Sequence, residues 1–107
     1  MIDKDTERLT DILDAITAIR QHSTLAGVPT GTSMDAILYR LIVIGEAVRA
    51  LSQSEKERVP DFPWSDIVGM RDVLTHEYFR TDKQVVLDVV ERDLPELENA
   101  VRRLLTS

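Results

Sequence analysis

The sequence predicts an all-α fold, an antiparallel bundle of four to five helices. Apolar residues recur at helical spacing in successive segments, Gly27, Pro29, Gly31 and Pro60 lie between those segments, and the connections are short. Helices joined by short loops pack against their neighbours as antiparallel bundles. At 107 residues, without an internal repeat, residues 1–107 are expected to form one domain around a single core.

The first two helices are predicted from apolar periodicity and from loop residues. The first helix is expected from Thr6 to Gln21, and residues 23–33, with two Gly and one Pro, are expected to form a loop. Thr32 or Ser33 is then a candidate N-cap for a second helix that ends near Leu51. Its apolar stripe is wide, which is typical of a central helix or of a helix at a subunit interface.

The second half of the chain predicts two further helices and a terminal segment. A charged connector is expected over Ser52–Phe62, and Pro63 suits the first turn of a third helix over Trp64–Phe79. Asp82 is expected to cap a fourth helix that runs to about Arg92, after which Pro95 is expected to break or kink the chain. The terminal segment carries the apolar residues Leu97, Val101, Leu104 and Leu105.

Composition argues against several classes of protein. The chain has no cysteine, which excludes disulfides and thiolate metal sites, and its two histidines lack metal-ligand spacing. No Gly-rich loop for a nucleotide is present, so neither a metal nor a cofactor is expected. No apolar run approaches the roughly 18 residues that span a bilayer, and the acidic N-terminus is unlike a signal peptide. A cytoplasmic protein without membrane contact is expected.

The net charge of −6 argues against a general nucleic-acid binder. Such proteins neutralise many phosphates with Lys and Arg, and this sequence contains no basic stripe. Any RNA site must therefore be local, and we expect it to be assembled from two subunits. The acidic balance also suits docking on a basic partner.

Residues 71–78, Arg-Asp-Val-Leu-Thr-His-Glu-Tyr, place three chemically active groups close together. Arg71 can bind an anionic phosphate, His76 can move protons near neutral pH, and Tyr78 offers a hydroxyl. On spacing alone, the alternative is a packed helix with one paired Arg and one satisfied His, because short motifs often match by chance.

Both sides of the third helix carry functional or packing residues. Arg71 and His76 lie about 140° apart around the helix axis, so both reach one phosphate only if Arg71 extends around the helix or two subunits share the site. Gly69 would allow a second copy of the helix to approach closely. Asp72 precedes His76 by four residues, so its carboxylate is expected to orient the imidazole and favour its charged form; the alternative is a simple surface Asp–His pair.

The segment Arg71–Tyr78 resembles the R-x4-H-x-Y signature of HepT-like toxins, a branch of the HEPN superfamily. Residues 44–47, Ile-Gly-Glu-Ala, are similar to the family's I-G-E-A segment, and residues 93–97 are similar to its D-L-P-x-L segment. Trp64, Ile67, Gly69 and Met70 resemble the approach to the motif. The resemblance covers nearly the whole chain in order and implies a HEPN-like helical bundle.

This resemblance implies a metal-independent endoribonuclease toxin of a toxin–antitoxin pair. The RNA 2′-hydroxyl would attack the adjacent phosphate, with His76 as general acid or base, Arg71 holding the phosphate and Asp72 orienting His76. In HepT-like toxins the motif Tyr is adenylylated by the cognate nucleotidyltransferase antitoxin, which makes Tyr78 the expected modification site. The implied partners are RNA, an antitoxin of the minimal nucleotidyltransferase (MNT) type and a second copy of the chain.

Three residues of the second helix are further candidates for the cleft. Tyr39 and Arg40 could line it, and Glu46, in a mostly apolar helix, is expected to be a buried acid paired with Arg49 or Arg71. Two other functions stay open at this point. One is a non-catalytic HEPN module that binds and is modified by a minimal nucleotidyltransferase, and the other is a purely structural helical interaction domain.

Overall fold

A computed structural model describes residues 3–25, 31–76 and 83–106 of the chain. The helices are α1 (Lys4–Leu25), α2 (Gly31–Ala50), the short α3 (Gln53–Lys56), α4 (Trp64–His76), α5 (Lys83–Asp88) and α6 (Leu94–Thr106). These three ranges contain no strand, so the predicted all-α class is confirmed. None of the helices described is long and apolar enough to cross a bilayer.

The hydrophobic core is built from α1, α2 and α6 together with the buried side chains of α4. Helix α1 contacts α2 and α6, and α2 also contacts α4. Helix α2 is therefore central, which is one of the two places that its wide apolar stripe predicts. The fully buried apolar side chains of these helices are Leu9, Ile12, Ile16, Ile19, Ile37, Leu41, Ile44, Val48, Leu94, Leu97 and Val101. Burial of this apolar surface is the main favourable contribution to folding.

Hydrogen bonds between Asp5 and Ser52 connect the beginning of α1 to the residues that follow α2. The two helices therefore run antiparallel. The Ser52 N–H and hydroxyl donate to the Asp5 carboxylate at 2.9 and 2.6 Å. These hydrogen bonds, the hydroxyl one foremost, hold the pKa of Asp5 below its usual value. Ser52 also caps α3, because its hydroxyl oxygen accepts from the Glu55 N–H at 3.3 Å. The predicted connector 52–62 therefore contains a short helix.

Three predicted helix boundaries differ from the structure by two or more residues. Helix α1 extends beyond Thr6–Gln21 at both ends, and α2 begins at Gly31, inside the predicted loop. Apolar periodicity marks only the part of a helix that is buried, whereas polar terminal turns continue the backbone hydrogen bonds without that signal. Helix α4 is described to His76, and the predicted extension to Phe79 lies outside the described residues.

The chain stays helical through Pro95, so of the break or kink predicted there the break is wrong. Residues 89–93 form a π-helical turn between α5 and α6, and the Leu94 N–H bonds to the Val89 carbonyl, five residues back. Proline lacks an N–H and its ring clashes with the carbonyl four residues earlier in an α-helix. A π-helical turn immediately before Pro95 changes that register, so the proline fits into the first turn of α6.

Trp64 anchors the beginning of α4 and so positions the motif that follows it. Its buried indole N–H is 3.1 Å from two carbonyl oxygens, those of Lys56 and Val59. The ring of Phe62 meets Trp64 edge-on, with 4.6 Å between centroids. Pro63 directly precedes the helix, where a proline is well tolerated. Helix α4 therefore leaves the connector in a fixed direction along α2.

Candidate functional site

Arg71 of α4 packs directly against Gly45 of α2. A Cβ atom added to Gly45 would lie 2.1 Å from the Arg71 Cβ and 2.6 Å from its Cγ. No side chain fits into that space, so only glycine at position 45 lets the stem of Arg71 lie against the backbone of α2. The Arg71 side chain is consequently only 21% exposed, and its guanidinium is held at the edge of the two helices.

Two carboxylates neutralise the Arg71 guanidinium. The Nε atom lies within ion-pair distance of Glu46 Oε1, although its N–H has no aligned acceptor and makes no hydrogen bond. The Nη1 atom donates to Asp72 Oδ1 at 2.9 Å. Of the two partners proposed for Glu46, Arg71 is the one it contacts. Glu46 is half-exposed, however, so the expectation of a buried acid is wrong.

Asp72 joins Arg71 to a second guanidinium from α2. Nη2 of Arg49 donates to both carboxylate oxygens of Asp72, at 2.9 and 3.1 Å. The hydrogen bond from Arg71 holds the pKa of Asp72 below its usual value, and the positive charges of Arg49, Arg71 and His76 act in the same direction. The carboxylate is therefore ionised at neutral pH and bridges the two arginines.

Asp72 contacts His76, but through its main-chain carbonyl and not through its carboxylate. The His76 Nδ1 atom is 2.7 Å from the Asp72 carbonyl oxygen. A carbonyl oxygen can only accept, so Nδ1 carries the hydrogen and Nε2 is left for proton transfer. The ring is exposed at the end of the described part of α4. The expected carboxylate–imidazole contact is replaced because the carboxylate is engaged by the two arginines.

The remaining candidates are not joined to this cluster. Arg40 lies 5.6 Å from the centroid of the Tyr39 ring, and Tyr39 is 60% exposed. Within the described ranges, no hydrogen bond or ion pair connects Tyr39 or Arg40 to Arg71. Tyr78 lies outside the described residues. The residues that the structure brings together are thus Glu46, Arg71, Asp72 and His76, with Arg49 in addition.

Sequence reasoning assigned no role to Gly45 and weighed Arg49 only as a partner for Glu46. A glycine in the middle of an apolar helix is a usable signal, because it weakens the helix and usually marks a close backbone approach. Arg49 carries a weaker signal, since a single arginine near the end of a helix is common. Its contact with Asp72 depends on how α2 crosses α4, which periodicity does not specify.

The outer face of α4, formed by Gly69, Val73 and His76, is open in the single chain. A Cβ atom added to Gly69 would meet nothing within 4 Å, and Val73 is 59% exposed. A groove of about 760 Å³ runs beside this face; Arg49, Trp64, Gly69 and Asp72 are among the residues that line it. An exposed Val beside an open Gly at helical spacing fits the prediction that this face meets a partner.

Within the described ranges, no group of three or more His, Asp and Glu residues is arranged to hold a metal ion. The site therefore offers a guanidinium pair, an imidazole and two carboxylates as its chemical groups. Such a set can bind an anion and move a proton.

The sequence is similar to a known protein family and to several named proteins. The family model described as Ribonuclease HepT-like matches residues 6–104. A protein named "Putative RNase" from Caldanaerobacter subterraneus subsp. tengcongensis is 39% identical over 70 residues, which are 65% of this chain and 62% of that protein. A "Probable ribonuclease HepT" from Thermococcus cleftensis is 35% identical over 69 residues, 64% of this chain and 63% of that protein.

A third relative has a longer chain. A "Gamma-glutamylcyclotransferase and putative RNase" from Methanocaldococcus jannaschii is 32% identical over 71 residues, 66% of this chain and 32% of that protein. The chain thus spans about three fifths of the first two relatives and about a third of this one. No solved structure matches.

Proposed function

Because the chain belongs to the ribonuclease HepT-like family, we propose that it is a metal-independent endoribonuclease. The observation that carries this proposal is the joining of Arg71 and His76 through one residue, Asp72. Its carboxylate accepts from Arg71 Nη1, and its carbonyl accepts from His76 Nδ1. A phosphate-binding cation and a proton-transfer group therefore share one support at an exposed edge of α2 and α4.

The proposed reaction uses the RNA itself as the nucleophile. The 2′-oxygen forms a bond to phosphorus while the bond from phosphorus to the 5′-oxygen breaks, which gives a 2′,3′-cyclic phosphate and a free 5′-hydroxyl. The 2′-hydroxyl loses a proton and the 5′-oxygen gains one. Nε2 of His76 accepts the first proton when the ring is neutral, or supplies the second when the ring is charged.

Arg71 is the proposed group that stabilises charge in the transition state. Negative charge develops on the phosphate oxygens during attack, and a guanidinium matches their geometry with paired N–H donors. Packing of the Arg71 stem against Gly45 supports this role, because a held cation needs little reorganisation when the reaction occurs. Asp72 keeps its proposed role of orienting His76, but it does so through its main-chain carbonyl and not through its carboxylate.

We extend the proposal to a homodimer formed through the outer face of α4. Gly69 and Val73 support this extension, because the first leaves room for a neighbouring helix and the second exposes an apolar side chain. In a two-fold arrangement the two α4 helices would place both copies of His76 in one cleft. One ring could then act as base while the other acts as acid.

The finer biological role follows the family resemblance: a toxin neutralised by an MNT-type nucleotidyltransferase antitoxin that adenylylates Tyr78. Tyr78 follows His76 by two residues in the sequence, so AMP on its hydroxyl would add bulk and negative charge beside the proposed cleft. After co-expression with such an antitoxin, mass spectrometry is expected to find one or more AMP adducts on Tyr78, and none on a Tyr78→Phe variant. Unmodified, active protein after co-expression would contradict this role.

A direct test of the ribonuclease proposal is cleavage by purified protein in EDTA. Single-stranded RNA is expected to be cut, whereas DNA of the same sequence is expected to stay intact because it lacks the 2′-hydroxyl. A His76→Ala preparation, purified in the same way, controls for contaminating ribonucleases. Equal cleavage of RNA and DNA, or cleavage only when a divalent metal is added, would overturn the proposal.

One observation favours the alternative of a non-catalytic module that is modified by a nucleotidyltransferase. The two arginines of the site are matched by two carboxylates, and the chain as a whole carries a charge of −6. Such a surface attracts RNA weakly. Under this alternative Tyr78 accepts AMP while RNA stays intact in every condition, so the EDTA assay separates the two functions.

A further inference from the structure

The Asp72 carboxylate occupies a site that is built for an anion. It accepts three N–H hydrogen bonds from two guanidiniums, those of Arg49 on α2 and Arg71 on α4. Carboxylate and phosphate present similar pairs of oxygens to an arginine fork. Asp72 is 42% exposed, so solvent and a substrate reach the same place.

The two arginines keep donors that the protein does not use. Among the described residues, Nη2 of Arg71 and Nη1 of Arg49 have no hydrogen-bond acceptor, while an arginine carries five N–H donors in all. Arg49 is half-exposed, and both Arg49 and Asp72 line the groove beside α4. A phosphate that approached along this groove would reach Arg49 and Asp72, and Arg71 is hydrogen-bonded to that same Asp72 carboxylate.

The balance of charge at this site is zero in the resting protein. Arg49 and Arg71 contribute two positive charges, and Glu46 and Asp72 contribute two negative ones. When the Asp72 side chain turns away, one positive charge is left, which one phosphate group neutralises. An exposed side chain changes rotamer rapidly, so this exchange requires no movement of the helices.

We propose that Arg49 is a second phosphate-binding residue for RNA, and that the Asp72 carboxylate holds the site until a substrate phosphate displaces it. This inference rests on the proposed ribonuclease function and adds to it the group that competes with the substrate. Arg49 from α2 and Arg71 from α4 then bind the phosphate backbone of the RNA together. While the carboxylate is bound, weakly binding anions cannot bind to the two guanidiniums. This suits an acidic protein that must bind a polyanion selectively.

The inference predicts opposite effects for two neighbouring substitutions. Removing Arg49 removes a phosphate contact, so Arg49→Ala is expected to weaken RNA binding by roughly tenfold, the loss typical of a hydrogen bond to a charged group. Removing the charge of Asp72 removes the competitor, so Asp72→Asn is expected to tighten RNA binding by about threefold, as for an exposed ion pair. His76 keeps its contact in Asp72→Asn, because that contact uses the main-chain carbonyl.

The test measures binding without cleavage, in the full chain with His76→Ala as the common background. Fluorescence anisotropy of a labelled single-stranded RNA of mixed sequence gives the dissociation constant at several salt concentrations. Arg102→Ala controls for loss of a surface arginine, since Arg102 pairs with Glu98 on α6. Asp11→Asn controls for loss of a surface carboxylate. Asp11 is also paired with an arginine, with 3.9 Å between its Oδ2 and Nη1 of Arg8 on α1.

Arg49→Ala is expected to reduce the slope of log K against log salt by about 0.7, the value for one phosphate contact on a single strand. Arg49→Lys keeps the charge and is expected to bind with intermediate affinity. The inference is overturned if Arg49→Ala binds like Arg102→Ala, if Asp72→Asn binds more weakly than Asp11→Asn, or if no variant binds RNA. Because cleavage is not measured, RNA binding that follows these predictions while the wild-type chain leaves RNA uncut would contradict only the ribonuclease proposal.

Discussion

Replacement of His76 by alanine is expected to lower the rate of RNA cleavage by about 10²- to 10⁴-fold, the usual contribution of one acid–base group. The imidazole is exposed and is oriented by a hydrogen bond from Nδ1 to the Asp72 carbonyl, which leaves Nε2 as the nitrogen for the proposed proton transfer. The measurement is the single-turnover rate with labelled RNA in EDTA. Tyr78→Phe is expected to retain cleavage, because the role proposed for the Tyr78 hydroxyl is to accept AMP and not to take part in the reaction.

His22→Ala is the matched control, because His22 is the only other histidine in the chain and belongs to α1. It is expected to cleave at the wild-type rate. Retention of full activity by His76→Ala, or equal losses in both histidine variants, would contradict the role given to His76. Circular dichroism of each variant separates loss of chemistry from loss of folding, and the exposure of His76 predicts normal folding.

Replacement of Gly45 by alanine is expected to lower the stability of the fold strongly. The new Cβ would lie 2.1 Å from the Arg71 Cβ, an atom too close to the backbone to rotate away, so α2 and α4 must separate. Overpacking of this kind lowers the free energy of unfolding by about 3 kcal/mol. For a domain of this size the melting temperature should fall by roughly 10–20 °C.

Gly69→Ala is the matched control on the neighbouring helix. Its Cβ would enter open space, and alanine is the better helix former by about 0.5–1 kcal/mol. Its melting temperature is expected to stay level or rise, measured at a dilution where the chain is monomeric so that contacts with a second copy do not enter. Equal melting temperatures for Gly45→Ala and the wild type would show that α2 and α4 are not packed as closely as described.

Much of the fold follows from local sequence signals. The helical class, the central place of α2 and the beginning of α4 near Trp64 all follow from apolar spacing and from proline positions. The π-helical turn before Pro95 does not follow from such signals, because a proline indicates only that a regular α-helix cannot continue unchanged. Whether the chain breaks, kinks or widens there is decided by the packing of α6 against α1, which lies far away in sequence.

Of the cluster that α2 and α4 build, the sequence predicted an arginine partner for Glu46 and the nearness of Asp72 to His76, but not the other contacts. The spacing of Asp72 and His76 places them side by side, as predicted. However, both the carboxylate and the carbonyl oxygen of Asp72 are within reach of the imidazole, and the arginines compete for the carboxylate. The carboxylate pairs with two guanidiniums and the carbonyl is left for the imidazole, an outcome that depends on Arg49 crossing from α2. Helical periodicity describes one helix at a time, so it cannot specify a cluster that two helices build together.

The chemistry of the cleaved ends shows directly whether His76 and Arg71 promote attack by the RNA 2′-hydroxyl. RNA is incubated with the purified protein in EDTA, and the fragments are analysed by mass spectrometry. We predict a 2′,3′-cyclic phosphate on one fragment and a 5′-hydroxyl on the other, with no cleavage at a position where a single 2′-deoxynucleotide is substituted. A 5′-phosphate at the cut, or cleavage at the 2′-deoxy position, would contradict the account.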